Sequence, residues 1–304
     1  MSLFWDQELP RTAANSVMKR RDFLRVSAAA ALSLPLGTHF RKVGAAPFRA
    51  SPDSSFRVVN EFPHDPKAFT QGLIHHDGFL YESTGGWGSS SLRRVELETG
   101  RVVQEIKLPD TYFAEGLTLW RERLIQLTWT SGIAFVYDLK TFERVGSFPY
   151  AGEGWGLTHD EEHLIMSDGS NTLQRLDPDT YQVVGRASVF DRRTPVPWLN
   201  ELEYVNGQLW ANIFGQDRIA RIDPLSGDVL SWLDFAGRFT PQRKVSPSAV
   251  MNGIAIEADS GRIFVTGKLW PKMYELKQEP LKEPIKRASP YEARHHRTRP
   301  PSRG

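Results

Sequence analysis

The sequence predicts an all-β protein, a five-bladed β-propeller closed by an N-terminal strand that completes the last blade. Three observations carry this. A short motif recurs five times, as FTQGL (69–73), FAEGL (113–117), EGWGL (153–157), WLNEL (198–202) and VMNGI (250–254). The last residues of these motifs are 44, 40, 45 and 52 apart, the spacing of a four-stranded blade. Finally, the fifth unit lacks a fourth strand, and the segment FRVVNEFPHD ahead of the first unit supplies one.

Each unit reads the same way after its motif. A polar turn leads to a second short apolar run: FLYEST, RLIQLTW, HLIMSD, QLWANIF or RIFVTG. A third run ends in an acidic or polar turn, in LRRVELETG, VYDLKTF, LQRLDPDT and ARIDPLSG, and the fifth unit has KMYELK. A fourth run follows four times, as RVVQEIKLP, RVGSFPY, QVVGRASVF and DVLSWLDF. Short strands separated by Gly, Asp and Asn turns are the pattern of antiparallel sheets. Pairing FRVVNEFPHD with the last blade removes two open sheet edges, which a solenoid of the same repeat would not require. The long final interval holds TPQRKVSPSAV, an insertion of loop character.

The ends of the chain differ from its middle. Residues 1–46 and 278–304 each hold seven Lys/Arg and three Asp/Glu. Taking these from 38 basic and 36 acidic residues leaves 24 and 30, so the repeat region carries about −6. A nucleic-acid-binding face on it is not expected. No stretch of eighteen apolar residues crosses a membrane, and the absence of cysteine excludes disulfides, thiolate metal sites and a thiol nucleophile. Residues 19–25, KRRDFLR, precede an apolar stretch from Val26 to Leu36 and a small-residue segment ending at Ala45-Ala46. This resembles a twin-arginine export signal and implies a periplasmic or secreted protein with no stable membrane insertion after cleavage. Met18 stands directly before it and is an alternative start. Three regions follow: 1–46, extension and signal; 47–277, propeller; and 278–304, a basic Pro- and Arg-rich tail expected to be disordered.

In a propeller the first strand of each blade lines the central channel, and strand side chains alternate faces. Two residues before the shared Leu or Ile stand Gln71, Glu115, Trp155, Asn200 and Asn252; four before it stand Phe69, Phe113, Glu153, Trp198 and Val250. Five residues into the second run from its first apolar residue stand Gly85, Trp129, Gly169, Phe214 and Lys268. Packing positions in a repeat are similar to one another, whereas these differ from blade to blade. Divergence at one register marks a ligand site. Water-lined channel walls are the alternative for any one of these residues.

Several motifs, one to a blade and in order, resemble the plant-type glutaminyl-peptide cyclotransferases: FPHDPKAFTQGL, YESTG, AEGLTLW, EGWGL, NELEYVNGQLWAN and TGKLWPKMYEL, between residues 57 and 277. The resemblance implies a five-bladed propeller and an acyltransferase that turns the N-terminal glutamine of a peptide or protein into pyroglutamate, releasing ammonia. It implies Glu115 as the catalytic carboxyl, base then acid, with Lys268 and Asn200 as donors to the developing oxyanion. Gln71 is implied as a substrate-binding side chain, and Phe69, Phe113, Trp129 and Trp155 as the aromatic walls. Phe214 stands where the plant sequences carry a tryptophan, so an apolar wall is kept and an indole N–H lost. No catalytic metal or cofactor is implied; a structural calcium ion in the channel is. Burial against Phe113 and Trp129 would raise the pKa of Glu115, and Lys268 would oppose the rise.

Other groups read as structural. Glu82, Glu153, Glu201 and Glu203 rival Glu115 by position in motifs, but Glu201 and Glu203 fall one residue off the channel register and are expected to tie blades together. Asp168 and Asp177 sit in turns and cap backbone. His64 precedes an Asp-Pro turn, and His75, His76, His159 and His163 are expected in hairpin loops after first strands, without zinc spacing. Two further classes fit the same repeat: a propeller that only binds a peptide or protein, and a metal-dependent lactonase-like hydrolase.

Overall fold

The computed structural model describes residues 56–238 and 246–279, and within them every regular element is a strand. Residues 1–55 and 280–304 lie outside the described residues, and with them the twin-arginine segment and nearly all of the basic tail. So does most of the TPQRKVSPSAV insertion.

The five units are five four-stranded antiparallel sheets. Strand β1 (Phe56–Pro63) precedes the first blade, which comprises β2 (Thr70–His76), β3 (Phe79–Thr84), β4 (Ser91–Glu96) and β5 (Val102–Lys107). The second comprises β6 (Ala114–Trp120), β7 (Arg123–Thr128), β8 (Ile133–Asp138) and β9 (Arg144–Pro149). The third runs through β10 (Leu157–His159), β11 (Leu164–Ser167), β12 (Thr172–Leu176) and β13 (Val183–Ser188). A small hairpin, β14 (Phe190–Asp191) with β15 (Thr194–Pro195), precedes the fourth blade. That blade holds β16 (Leu199–Val205), β17 (Gln208–Ile213), β18 (Arg218–Ile222) and β19 (Val229–Asp234). The fifth has β20 (Met251–Glu257), β21 (Arg262–Gly267) and β22 (Lys272–Gln278), and β1 pairs antiparallel with β22 as its fourth strand. The expected ring closure is therefore present. The first strands pack against one another in sequence around the ring, and β20 packs back onto β2.

Five apolar clusters hold consecutive blades together, and the shared Leu or Ile of each motif enters a different one. Leu117 packs with Leu124 and Phe135 against Ile74 and Tyr81 of the first blade; Leu73 packs with Leu80 against Phe264 and Met273 of the fifth. Leu157, Leu202 and Ile254 do the same at the other three junctions. Each is almost completely buried, the situation in which truncation to Ala costs about 2–5 kcal/mol.

Tight contact near the axis explains the glycine inside the motif. A Cβ on Gly116 would stand 2.5 Å from the backbone N of Leu157, and one on Gly72 would stand 2.4 Å from that of Leu117. The fourth blade carries Glu201 at this position, and its carboxylate accepts a hydrogen bond from the Ile254 N–H at 2.9 Å and another from the backbone of Leu73. One side chain thus ties the fourth blade to the fifth and the first, as its register suggested. Glu203 likewise accepts a backbone bond from Ile256.

The closure between the fifth and first blades is polar as well. His64 bonds the Trp270 carbonyl through Nδ1 at 2.5 Å and the Glu82 carboxylate through Nε2 at 2.9 Å, and the Thr70 hydroxyl donates to the same Glu82 oxygen. Burial alone would lower the pKa of His64, but the Glu82 carboxylate, the Trp270 carbonyl and Asp65 together outweigh it and the pKa is raised. Asp168 and Asp177 cap turn N–H groups as expected. The histidines are placed differently from expectation: His75 and His76 end β2 and His159 ends β10, inside strands, because the first hairpins turn tightly beyond them; His163 alone lies in the loop.

Candidate active site

The cavity forms where the first strands begin and the second strands end. Backbone bonds across these strand ends join the two registers: Gly85 N–H to Phe69 O, Trp129 to Phe113, Phe214 to Trp198 and Lys268 to Val250, all at 2.8–2.9 Å. The positions counted four before the shared Leu and five into the second run are therefore cross-strand partners. They carry their side chains to the same end of the propeller.

The polar residues get there by β-bulges. Register shifts interrupt the first hairpin between Thr70 and Gly72, between Ala114 and Leu117, between Leu199 and Leu202, and between Met251 and Ile254. Gln71, Glu115, Asn200 and Asn252 are the residues in or at these irregularities. A bulge lets two residues oppose one and re-aims their side chains. This corrects the strict alternation expected from sequence: Leu73 points into the blade junction, not along the channel with Gln71.

Gln71, Glu115, Asn200 and Lys268 line one cavity of about 390 Å³ with Phe69, Phe113, Trp129, Trp155, Trp198 and Phe214. All nine side chains expected at the site meet there. Trp198 is the tenth, visible at the register of Phe69 and Phe113 but not assigned to the site from sequence. Its φ is +69°, a left-handed conformation costly for a bulky residue, and the residue is 52% exposed. Asn252, polar at the same register, lies behind the wall, where its amide donates to Thr70 O at 2.9 Å and to Gln71 Oε1 at 3.4 Å.

Glu115 is 5% exposed and Lys268 3%. Lys268 Nζ donates to Gln71 Oε1 at 2.6 Å, and Gln71 Nε2 donates to Glu115 Oε1 at 2.8 Å. The ammonium also sits 4.8 Å from the Phe69 ring centre and 5.3 Å from that of Phe214, within cation–π range. Burial raises the Glu115 pKa well above the usual carboxylate value; Lys268 opposes this and Glu153 adds to it. Desolvation thus outweighs the ammonium, the balance that sequence left open. Burial likewise lowers Lys268 to about 8, against the pull of Glu115. Asn200 Oδ1 is buried with no hydrogen-bond partner.

The aromatic walls are fitted by glycines. A Cβ on Gly85 would stand 2.2 Å from Cε1 of Phe113, and one on Gly169 would stand 2.7 Å from the Trp155 ring. Gly85 and Gly169 occupy the register that holds Trp129, Phe214 and Lys268 elsewhere, so two blades yield space that neighbouring rings fill. Phe113 then meets Phe69 edge-on with centres 6.0 Å apart and Trp129 at 5.7 Å, while Trp155 meets Phe214 at 5.7 Å.

A second concavity of about 440 Å³ opens at the far ends of the first strands, among His76, His159, Asp160 and Glu203. Its lining has no lysine, tryptophan or phenylalanine. Among the described residues no three His, Asp or Glu side chains are grouped to hold a metal ion.

Known proteins resemble this chain in both sequence and fold. The glutamine cyclotransferase family model matches residues 28–278. The chain belongs to the glutamine cyclotransferase family. A glutaminyl-peptide cyclotransferase of Arabidopsis thaliana is 46% identical over 228 residues, covering 74% of this chain and 71% of that one. The crystal structure of Myxococcus xanthus glutaminyl cyclase matches with a TM-score of 0.71 and 40% identity, over 76% of this chain and 99% of that chain. Membership of the glutamine cyclotransferase family thus rests on both sequence and fold, over the part of the chain that builds the cavity.

Proposed function

We propose that this chain is a glutaminyl-peptide cyclotransferase, acting on peptides or proteins that begin with glutamine. The observation that carries this is the chain of contacts Lys268–Gln71–Glu115 inside the aromatic cavity. In the reaction the α-amine nitrogen attacks the side-chain carboxamide carbon, a five-membered ring forms, and the former amide nitrogen leaves as ammonia. Both reacting groups belong to one residue, so the walls need only hold its folded rotamer and exclude water.

Proton traffic falls to Glu115. Its carboxylate accepts a proton from the attacking amine and returns it to the departing nitrogen, and a raised pKa suits a group that must do both near neutral pH. The tetrahedral intermediate places negative charge on the former carbonyl oxygen. Lys268 and the Asn200 amide are the donors that serve it. Gln71, expected to hold the substrate by its amine or first carbonyl, has both ends of its carboxamide engaged by Glu115 and Lys268 and is better read as the spacer that sets their separation.

The oxygen atoms without partners at Asn200 Oδ1, Asn252 Oδ1 and Glu201 Oε1 are of the hard-donor type that calcium takes. They would hold a structural ion of that kind in the channel, and no step of the reaction needs it. The twin-arginine pattern at Arg20-Arg21, outside the described residues, supports export through that machinery and action in the periplasm or beyond the cell. That pattern, the end of the repeats and the basic composition beyond them support a division into signal, propeller and tail at residues 46 and 277.

The test is incubation of the purified chain with a Gln-initiated peptide, with and without chelator, followed by mass measurement. Loss of one ammonia, insensitive to chelator, is the expected result. An unchanged mass with every Gln peptide tried would leave a binding propeller in its place.

A further inference from the structure

Glu153 is a charged residue that the reaction above does not use. It lies in the segment between β9 and β10, just ahead of the third blade, and it does not line the cavity. The backbone around it is fixed on both sides: Tyr150 N–H donates to Gly132 O at 2.9 Å, Gly154 N–H to Trp129 O at 3.0 Å and Trp155 N–H to Ser167 O at 3.0 Å. The Tyr150 hydroxyl donates to the Thr128 carbonyl, and Gly154 has no room for a Cβ beside that hydroxyl. The segment is thereby pinned with Glu153 behind the cavity wall.

One carboxylate oxygen of Glu153 accepts two indole N–H bonds. Trp129 Nε1 donates to Oε2 at 2.7 Å and Trp155 Nε1 donates to the same atom at 2.9 Å. The two tryptophans come from different blades and from opposite strands of their hairpins. Each also carries half of the aromatic wall, since Trp129 packs on Phe113 and Trp155 on Phe214 and Trp198. An indole has no acceptor, so two of them brought together at a half-buried place need a shared acceptor to satisfy both N–H groups.

We infer that Glu153 is a positioning residue for the cyclisation, fixing the Trp129 and Trp155 rings as one rigid wall. The inference rests on the cyclotransferase reading for its kinetic consequences but not for its structural one. Held rings fix the shape that folds the glutamine side chain onto its own amine.

Two substitutions separate the acceptor from the charge. Glu153→Gln keeps a side-chain carbonyl oxygen to accept from the indoles but removes the charge; Glu153→Ala removes both. In the full-length chain without substrate, near-ultraviolet circular dichroism reads the indole environment. Glu153→Gln should keep the wild-type spectrum and Glu153→Ala should flatten its indole bands. With a Gln-initiated peptide, Glu153→Ala should raise KM about tenfold, on the scale of one lost hydrogen bond to a charged group, while Glu153→Gln leaves KM near wild type. Should Glu153→Ala fail to fold, a Trp129→Phe, Trp155→Phe double variant reproduces the loss of the indole bonds and should show the same KM rise. An unchanged spectrum or KM in the Ala variant, or an unchanged KM in the double-Phe variant, overturns the inference. A wild-type chain that cyclises nothing, combined with the expected spectral difference, would remove the cyclotransferase reading and leave the indole clamp standing.

Discussion

Glu115 and Lys268, from the second and fifth blades, are joined through a single carboxamide: Gln71 donates to the one at 2.8 Å and accepts from the other at 2.6 Å. An acid and a base that would otherwise neutralise each other by direct contact are held apart by the length of an amide. The glutamine substrate has the same functional group, so the cavity is already shaped to carry a carboxamide between these two charges.

Glu115→Gln tests the proton carrier. The substitution preserves a carbonyl oxygen to accept from Gln71 and removes a carboxyl whose ionisation burial disfavours. Turnover should fall by about 10²–10⁴-fold, the range for loss of a positioned acid–base group, while KM and the thermal midpoint stay close to wild type. Steady-state kinetics and a thermal melt on the same preparation check it. Retention of more than a tenth of kcat would remove Glu115 from the role.

The pH profile should be a bell with a narrow top. Activity needs Glu115 ionised and Lys268 protonated, so the rising limb follows the raised carboxyl pKa and the falling limb follows the ammonium at about 8. In coupled sites these limbs belong to the pair. Lys268→Arg should move the falling limb to higher pH, because a guanidinium keeps its charge. A falling limb that stays near 8 in that variant assigns it to another group.

Lys268 also leaves a mark on stability. Its folded pKa of about 8 lies below the unfolded 10.5, so between these values the native state binds fewer protons than the unfolded one. Stability from this group therefore rises with pH through that window and has no slope below it. Lys268→Met abolishes the slope. Its melting temperature relative to wild type should be highest at or below pH 8 and should decline toward pH 10. Melts of both proteins across that range give the sign directly, and a relative melting temperature that climbs instead would contradict the buried ammonium.

Much of this site was legible in the sequence because the repeat supplies its own alignment. Five copies set side by side expose the positions at which Gln71, Glu115, Asn200, Lys268 and the rings differ, and the fold then gathers them. What could not be read is how they are aimed. The bulges between Thr70 and Gly72 and at the equivalent points depend on backbone contacts with the next blade, which period-two counting does not contain. Trp198 was missed for a related reason: its left-handed backbone is fixed by bonds to Gly169 and Phe214 from two different blades. The double bond to Glu153 needs two indoles from separate blades, a coincidence that only tertiary structure creates.

Gly85→Ala asks whether wall shape matters apart from chemistry. The new methyl would collide with Phe113 at 2.2 Å, and that ring is hemmed in by Phe69, Trp87 and Trp129. Overpacking of this kind costs about 1–3 kcal/mol. The ring should swing toward the cavity, raising KM several-fold with the acid and alkaline limbs of the pH profile unmoved. A wild-type KM would show that Phe113 yields elsewhere.

Trp198→Gly separates strain from use. Glycine adopts φ near +69° without steric cost, so the substitution relieves the backbone, and the residue lost is half exposed and contributes little burial. The thermal midpoint should hold or rise. Activity should move the other way, because Trp198 lines the cavity beside Trp155 and Phe214 and, being half exposed, is placed to meet the part of a peptide that follows its glutamine. With a series of Gln-X peptides, KM should rise most for bulky apolar X, which loses a stacking surface, and least for X = Gly. Equal losses across the series would make Trp198 a general wall. A fall in both stability and activity would show that its left-handed backbone is held by the indole itself, and that the strain has no part in substrate recognition.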